Sequence, residues 1–212
     1  MIAQIYVDDI VFGGMSDGMV KHIVSQMQTE YEMSMVGDLA YFLGLQIKKM
    51  EDSFFLSQSK YAKNIVKKFG MDSVSHKRTP APTHLKLSKD EGGTSVDQSL
   101  YRSMIGSLLY LTASRPDIAF AVGLCARYQA EPKVSHINQV KRIFKYVNGT
   151  SDHGILYTHG CDPILTGYCD ADMDRSADDR KNTSGGCFFL GNNLISWFSE
   201  KHNCVSLSTA EA

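Results

Sequence analysis

The spacing of apolar residues changes near residue 150, and this change constrains the fold more than any other feature of the sequence. Before it, apolar residues recur at helical spacing over about 97–113, 116–129 and 133–148. After it come short β-rich runs, at 154–158, 163–169, 184–190, 194–199 and 203–208. With strands also predicted at 2–13 and 41–57, the chain should have a mixed α+β fold. We therefore predict a domain boundary between 150 and 151.

The first residues predict a β-hairpin with two adjacent acids between its strands. Residues 2–13 hold two β-branched and aromatic runs, with Asp8-Asp9 between them. Adjacent carboxylates repel each other less when cations lie between them, and magnesium prefers oxygen ligands. Aspartate is also common in turns because it bonds to its own backbone. The pair alone therefore leaves a metal site and a structural turn open.

A lysine-rich helix is predicted from about Ser59. Its apolar residues fall on one face, Lys60, Lys63, Lys67 and Lys68 lie outside it, and Gly70 ends it. Although the whole chain has a net charge of −1, residues 59–90 carry 8 basic and 2 acidic side chains. This block is either a surface that tracks phosphates or a solvated helix face.

Cysteines and apolar runs exclude several classes of protein. The 5 cysteines are widely spaced and form no C-x-x-C, which argues against a disulfide framework and a structural zinc site. A reducing compartment is the expectation. No apolar run reaches the length of a membrane span, and the N-terminus lacks the basic region of a signal peptide. These features predict an intracellular protein.

Several motifs, taken together and in order, resemble copia-type (Pseudoviridae-like) retrotransposon Pol polyproteins. Y-V-D-D-I-V-F-G is similar to the polymerase motif of their reverse transcriptases, and the resemblance continues to the end of the chain. The other matching segments are Phe42–Ile47, Phe55–Ala62, Tyr101–Val122, Arg142–Thr150, Leu165–Asp172, Ser184–Trp197 and Ser206–Ala212. The chain thus looks like the C-terminal part of a reverse transcriptase followed by the start of a ribonuclease H domain.

The resemblance implies roles for particular residues at the polymerase site. Asp8 and Asp9 match the metal-binding, catalytic aspartates of the palm, and Tyr6 matches an aromatic residue near the primer terminus. The four lysines of the predicted helix would contact template–primer phosphates. Mg²⁺ is the implied cofactor, and an RNA/DNA template–primer is the implied partner of the intact enzyme.

The resemblance implies a second metal site in the ribonuclease H part. Asp170 matches the catalytic, metal-binding aspartate on its first strand. We expect Asp172 to lie in a loop, and Asp178, Asp179 and Arg180 to be solvated. Glu211 is expected to neighbour the catalytic glutamate rather than to be it, although the alternative stays open.

Three departures from the family pattern predict an inactive chain. The third palm aspartate that the family uses is not in the sequence. Residues 170–175 read D-A-D-M-D-R where the family reads D-A-D-W-A-G, and the carboxylates that follow S-T-A-E in the family are missing. Without the upstream palm, residues 2–12 should also expose an apolar edge and face.

These observations lead to one fold prediction and three functional hypotheses. Residues 1–57 should form a palm β-hairpin remnant, 58–150 helices of the thumb and connection, and 151–212 an incomplete ribonuclease H-like antiparallel sheet. The chain is either a segment of an RNA-directed DNA polymerase and ribonuclease H, a nucleic-acid-binding remnant without catalysis, or a relic without function. For the isolated chain we expect no polymerase activity.

Overall fold

The fold is α+β, as predicted, and divides into two compact units, Met1–Phe42 and Leu43–Ala212. The computed structural model describes residues 2–14, 16–83, 85–160, 162–172, 176, 178–179, 181–203 and 205. No helix among these residues has the length and apolar character needed to cross a lipid bilayer.

The first unit contains the predicted hairpin and one helix. Strands β1 (Ile2–Tyr6) and β2 (Asp9–Gly13) pair in antiparallel register, with Tyr6 opposite Asp9. Helix α1 (Asp17–Glu30) and the short strand β3 (Tyr41–Phe42) follow. The hairpin exposes apolar side chains, as predicted, since Ile2 is 82% and Ile5 66% exposed.

The second unit begins with a sheet formed by residues distant in the chain. Strand β4 (Leu45–Lys49) pairs with β5 (Ser53–Ser57), whose other edge pairs antiparallel with β6 (Gly154–Thr158). Phe55 lies opposite Leu156 in that register. Residues from both sides of the predicted boundary at 150 therefore share one sheet.

Four helices form the core of the second unit. They are α2 (Ser59–Lys68), α3 (Gln98–Leu111), α4 (Pro116–Ala126) and α5 (Val134–Gly149). Tyr101, Val122 and Phe144, from three of these helices, are fully buried in one cluster. Asp97 begins α3, because its carboxylate accepts hydrogen bonds from the Ser99 and Leu100 amides.

A second antiparallel sheet ends the described fold. Its order is β7 (Leu165–Asp172), β8 (Thr183–Leu190) and β9 (Asn193–Lys201). It packs on the helices, and Trp197 Nε1 of β9 donates to the Thr112 carbonyl at 3.1 Å. Of the predicted strand at 203–208, Asn203 and Val205 lie outside any strand, and the other four residues lie outside the described part.

Candidate active site and nucleic-acid interface

The hairpin turn places the two adjacent carboxylates at its tip. Because Tyr6 is opposite Asp9, Val7 and Asp8 form a two-residue turn. Val7 has φ 51°, the left-handed region that the first turn residue adopts in type I′ and II′ hairpins. A β-branched residue rarely adopts it, at a cost of about 1–3 kcal/mol. The local backbone is therefore strained at the residue that precedes the acids.

Both carboxylates are available to a ligand. Asp8 and Asp9 are exposed, and neither accepts a hydrogen bond or an ion pair from another described residue. Exposed carboxylates of residues adjacent in the sequence suit Mg²⁺, which is usually held by one or two carboxylates together with substrate phosphates. No group of three or more metal-binding side chains exists among the described residues. The pair therefore fits part of a magnesium site.

Tyr6 lies beside this tip. Tyr6 is 48% exposed, and its ring contacts Phe42 edge-on, with ring centroids 6.2 Å apart and an angle of 78° between the planes. This contact fixes one side of the ring and leaves the other surface open. The position is compatible with contact to a nucleic-acid end, which stays a prediction.

Asp170 belongs to the other unit. It lies in β7, opposite Gly185 of β8, and its side chain is exposed. Asp172 also lies in β7, so the prediction that it is a loop residue is wrong. Glu211 lies outside the described residues. Asp170 is thus an exposed carboxylate on a strand, in a different unit from Asp8 and Asp9.

The four predicted lysines share helix α2 and are all exposed. Lys63 pairs with Asp152 at 2.7 Å, and Lys68 lies over the Phe69 ring while donating to Ser103 Oγ. Lys60 and Lys67 have no side-chain partner among the described residues. The predicted face therefore exists, with two of its four cations unpaired.

The prediction that Asp178 and Asp179 are solvated is confirmed for Asp178, which is exposed, whereas Asp179 is half-buried. Both acids also accept hydrogen bonds that were not predicted. The Asp178 carboxylate accepts from the Lys89 amide at 2.9 Å and lies 3.1 Å from the Tyr128 hydroxyl. The Asp179 carboxylate accepts hydrogen bonds from Lys201 Nζ and Ser176 Oγ. The bond from Lys201 has the larger effect on the pKa of Asp179, and the two bonds lower it to about 2. No sequence signal indicated these pairings, and Arg180 lies outside the described residues.

Comparisons with known proteins identify the family. Residues 1–83 match the family described as reverse transcriptase (RNA-dependent DNA polymerase). The chain is 37% identical, over its whole length, to an uncharacterized mitochondrial protein of Arabidopsis thaliana, of which it covers 88%. No solved structure matches the chain significantly.

Two relatives are transposon polyproteins. The chain is 36% identical, over its whole length, to the retrovirus-related Pol polyprotein of transposon TNT 1-94 from Nicotiana tabacum. It is 35% identical, over 98% of its length, to that of transposon RE2 from Arabidopsis thaliana. The chain spans 17% and 14% of these two polyproteins. This protein belongs to the copia-type retrotransposon Pol polyprotein family and corresponds to a reverse transcriptase segment of it.

Proposed function

We propose that this chain is the part of a retrotransposon polymerase that begins at the catalytic hairpin of the palm. Residues 58–150 are then helices of the thumb and connection, and 151–212 begin a ribonuclease H-like domain. The observation that carries this proposal is the strained hairpin, which presents Asp8 and Asp9 as an exposed pair inside the region matched to reverse transcriptases. The continuous similarity to two Pol polyproteins supports the remaining assignments.

In the intact polymerase, Asp8 and Asp9 would hold Mg²⁺ together with substrate phosphates. The bound metal supplies activation of a primer 3′-hydroxyl and stabilisation of the leaving oxygen. The chain's own contribution is positional: Asp8 lies in the short turn, Asp9 begins β2, and Tyr6 lies opposite Asp9. Asp170 has the matching role in the ribonuclease H part of the proposal.

Metal binding at the hairpin is tested without an activity assay. We expect Mn²⁺, used in place of Mg²⁺, to broaden the amide NMR signals around Asp8 and Asp9 first. The double variant Asp8→Asn/Asp9→Asn should lose this selective broadening because amides are neutral and bind divalent ions poorly. Asp17→Asn, another exposed acid of the same unit, is the matched control. Equal broadening in the double variant and the wild type would contradict the assignment.

We propose that the 212 residues alone do not catalyse synthesis or cleavage. Among the described residues, Asp8, Asp9 and Asp170 belong to no group of three or more metal-binding side chains, which is fewer ligands than a two-metal site needs. The chain with Mg²⁺ and a primed RNA template should therefore give no extended primer, and an RNA–DNA hybrid should remain uncut. Extension that disappears in Asp8→Asn would overturn this part of the proposal.

The second candidate function is nucleic-acid binding without chemistry, and exposed helix α2 favours it. An RNA–DNA hybrid should bind the chain, and its affinity should fall as salt rises because lysine contacts release counterions. Lys60→Gln/Lys67→Gln should weaken binding, whereas Lys21→Gln/Lys48→Gln removes the same charge elsewhere and should not. Absence of binding would leave only the relic hypothesis.

A further inference from the structure

A basic groove lies between helix α5 and the segment around Lys77. We define it by Lys77, Asn138, Lys141, Arg142 and Lys145, and its volume is about 430 Å³. Positions 138, 141, 142 and 145 are three or four residues apart, so they share one face of α5. The opposite face of the same helix, which includes Val140 and Phe144, is buried in the core.

The far wall of the groove is fixed to the helix. The Lys77 amide donates to the Lys145 carbonyl at 3.3 Å. Gln139 Nε2 donates to the Pro80 carbonyl, and Arg142 Nη2 donates to Thr79 Oγ1, each at 2.9 Å. Because backbone and side-chain bonds connect the two walls, the groove is formed in the absence of a ligand.

The groove concentrates positive charge that the rest of the described chain does not neutralise. Lys77, Lys141, Arg142 and Lys145 form no ion pair with any described carboxylate. Arg142 Nε is buried and has no hydrogen-bond partner among the described groups. The Asp90 carboxylate accepts a hydrogen bond from the hydroxyl of Ser135, which lines the groove. Four cations gathered in a chain of net charge −1 define a site for an anion.

The length of the cationic row favours a polyanion over a single ion. With a rise of about 1.5 Å per helical residue, Asn138 and Lys145 are about 10 Å apart along α5. One strand of a duplex presents a phosphate about every 3.4 Å along its axis, so roughly three phosphates match this distance. Each lysine presents a point charge to phosphate oxygens, and Arg142 adds its positive charge while its Nη2 is bonded to Thr79 Oγ1.

We propose that the basic groove binds the phosphate backbone of a nucleic acid, as a second contact surface separate from the α2 lysines. The proposal does not depend on the Asp8–Asp9 pair or on catalysis. Substitution of the α2 lysines leaves the residues of this groove unchanged. The two surfaces are therefore tested with separate variants of the full 212-residue chain.

The first test is a salt titration of binding to a short RNA–DNA hybrid, read by fluorescence anisotropy. We expect Lys141→Gln/Lys145→Gln to weaken binding about 10-fold and to reduce the slope of log K against log salt by about 2. Lys60→Gln/Lys67→Gln measures how much the α2 lysines contribute to binding. Lys21→Gln/Lys48→Gln is the control for the change in net charge. An unchanged affinity and slope in the groove variant would overturn the proposal.

The second test uses the unmodified protein, so it does not depend on how the variants fold. The hybrid should protect Lys77, Lys141 and Lys145 from acetylation, measured by mass spectrometry, while Lys48 stays reactive. Inorganic phosphate at the same phosphate concentration should protect them far less, because it cannot contact several cations at once. Full acetylation with the hybrid bound, or equal protection by inorganic phosphate, would contradict the proposal.

Discussion

Val7 has a backbone conformation that β-branched residues rarely adopt, directly before the paired aspartates. Val7→Gly should relieve about 1–3 kcal/mol of strain and lose about 0.5–1 kcal/mol through the greater freedom of the unfolded glycine. We therefore expect a net stabilisation of about 1 kcal/mol, seen as slower hydrogen exchange of the Tyr6 and Asp9 amides.

The control for this prediction is Val11→Gly, in the middle of β2. Here the backbone is extended, so glycine relieves no strain and exchange should become faster. Faster exchange in both variants would show that Val7 stabilises the turn rather than straining it.

Asp179 gives a second prediction at the scale of single residues. Its pKa is about 2 in the folded chain, compared with about 3.9 when unfolded. A depressed folded pKa stabilises the fold above the unfolded value, and this stability is lost as the pH falls from about 4 to 2. The pair with Lys201 is partly exposed, so the effect is about 0.5–1 kcal/mol.

The measurement is the free energy of unfolding at pH 5 and pH 2 for wild type and Asp179→Asn. The variant should be less stable at pH 5, and the difference should shrink towards pH 2. A difference that stays constant over this range would exclude titration of Asp179 as its cause. Asp162→Asn, another exposed acid of the second unit, is a suitable control.

At this scale, the sequence predicts the position of a side chain where that position depends on residues nearby in the chain. Asp8 and Asp9 lie at a hairpin tip, and the α2 lysines lie on an exposed face, because local periodicity determines both. The partners of Asp178, Lys89 and Tyr128, were not predicted because they are 89 and 50 residues away in the sequence. Contacts of that separation have no local signature.

At the scale of elements, a buried arginine joins the start of α4 to the end of α5. The Arg115 side chain is 2% exposed, and it donates two hydrogen bonds to Asp117 and two to Thr150. Tyr146 also donates to Asp117. Burial would raise the pKa of Asp117, but the bonds from Arg115 and Tyr146 outweigh it, and this pKa is lowered.

Removing the carboxylate should leave a buried, unpaired charge. We expect Asp117→Ala to destabilise the fold by about 3 kcal/mol, at the low end for a broken buried pair because Asp117 itself is 35% exposed. Chemical denaturation measures this loss. Asp72→Ala, at an exposed acid, should change stability by less than about 0.5 kcal/mol. Similar losses in both variants would refute the role of the pair.

The helices and strands themselves were largely predictable from the sequence. Apolar periodicity predicted α2 to α5, and the bounds differ from the structure by only a few residues because helix ends depend on caps such as Asp97. The sequence did not reveal which strands pair. The partner of β5 is β6, which depends on the packing of all the intervening helices.

At the scale of the whole molecule, the β5–β6 pairing joins residues from both sides of the predicted domain boundary between 150 and 151. Removing residues 151–212 would leave β5 with an unpaired edge that carries Phe55 and Leu56. We expect residues 1–150 to aggregate, or to unfold at lower denaturant concentration than the full chain, as measured by light scattering and circular dichroism.

A comparison with residues 1–160 separates strand pairing from the loss of the second sheet. This longer chain retains β6 and should recover part of the stability that 1–150 loses. If 1–150 were as soluble and stable as 1–160, β6 would contribute nothing to the second unit, and an independent domain ending at 150 would be supported.

The distance in sequence between β5 and β6 also has a consequence during translation. Ser57 ends β5 and Thr158 ends β6, so 101 residues must be added before this sheet can be completed. At about 5–20 residues per second, a ribosome needs roughly 5–20 s for that interval. Throughout it, the nascent polypeptide presents an open strand to neighbouring nascent polypeptides. We therefore expect crowding on a polysome to lower the yield of correctly folded protein.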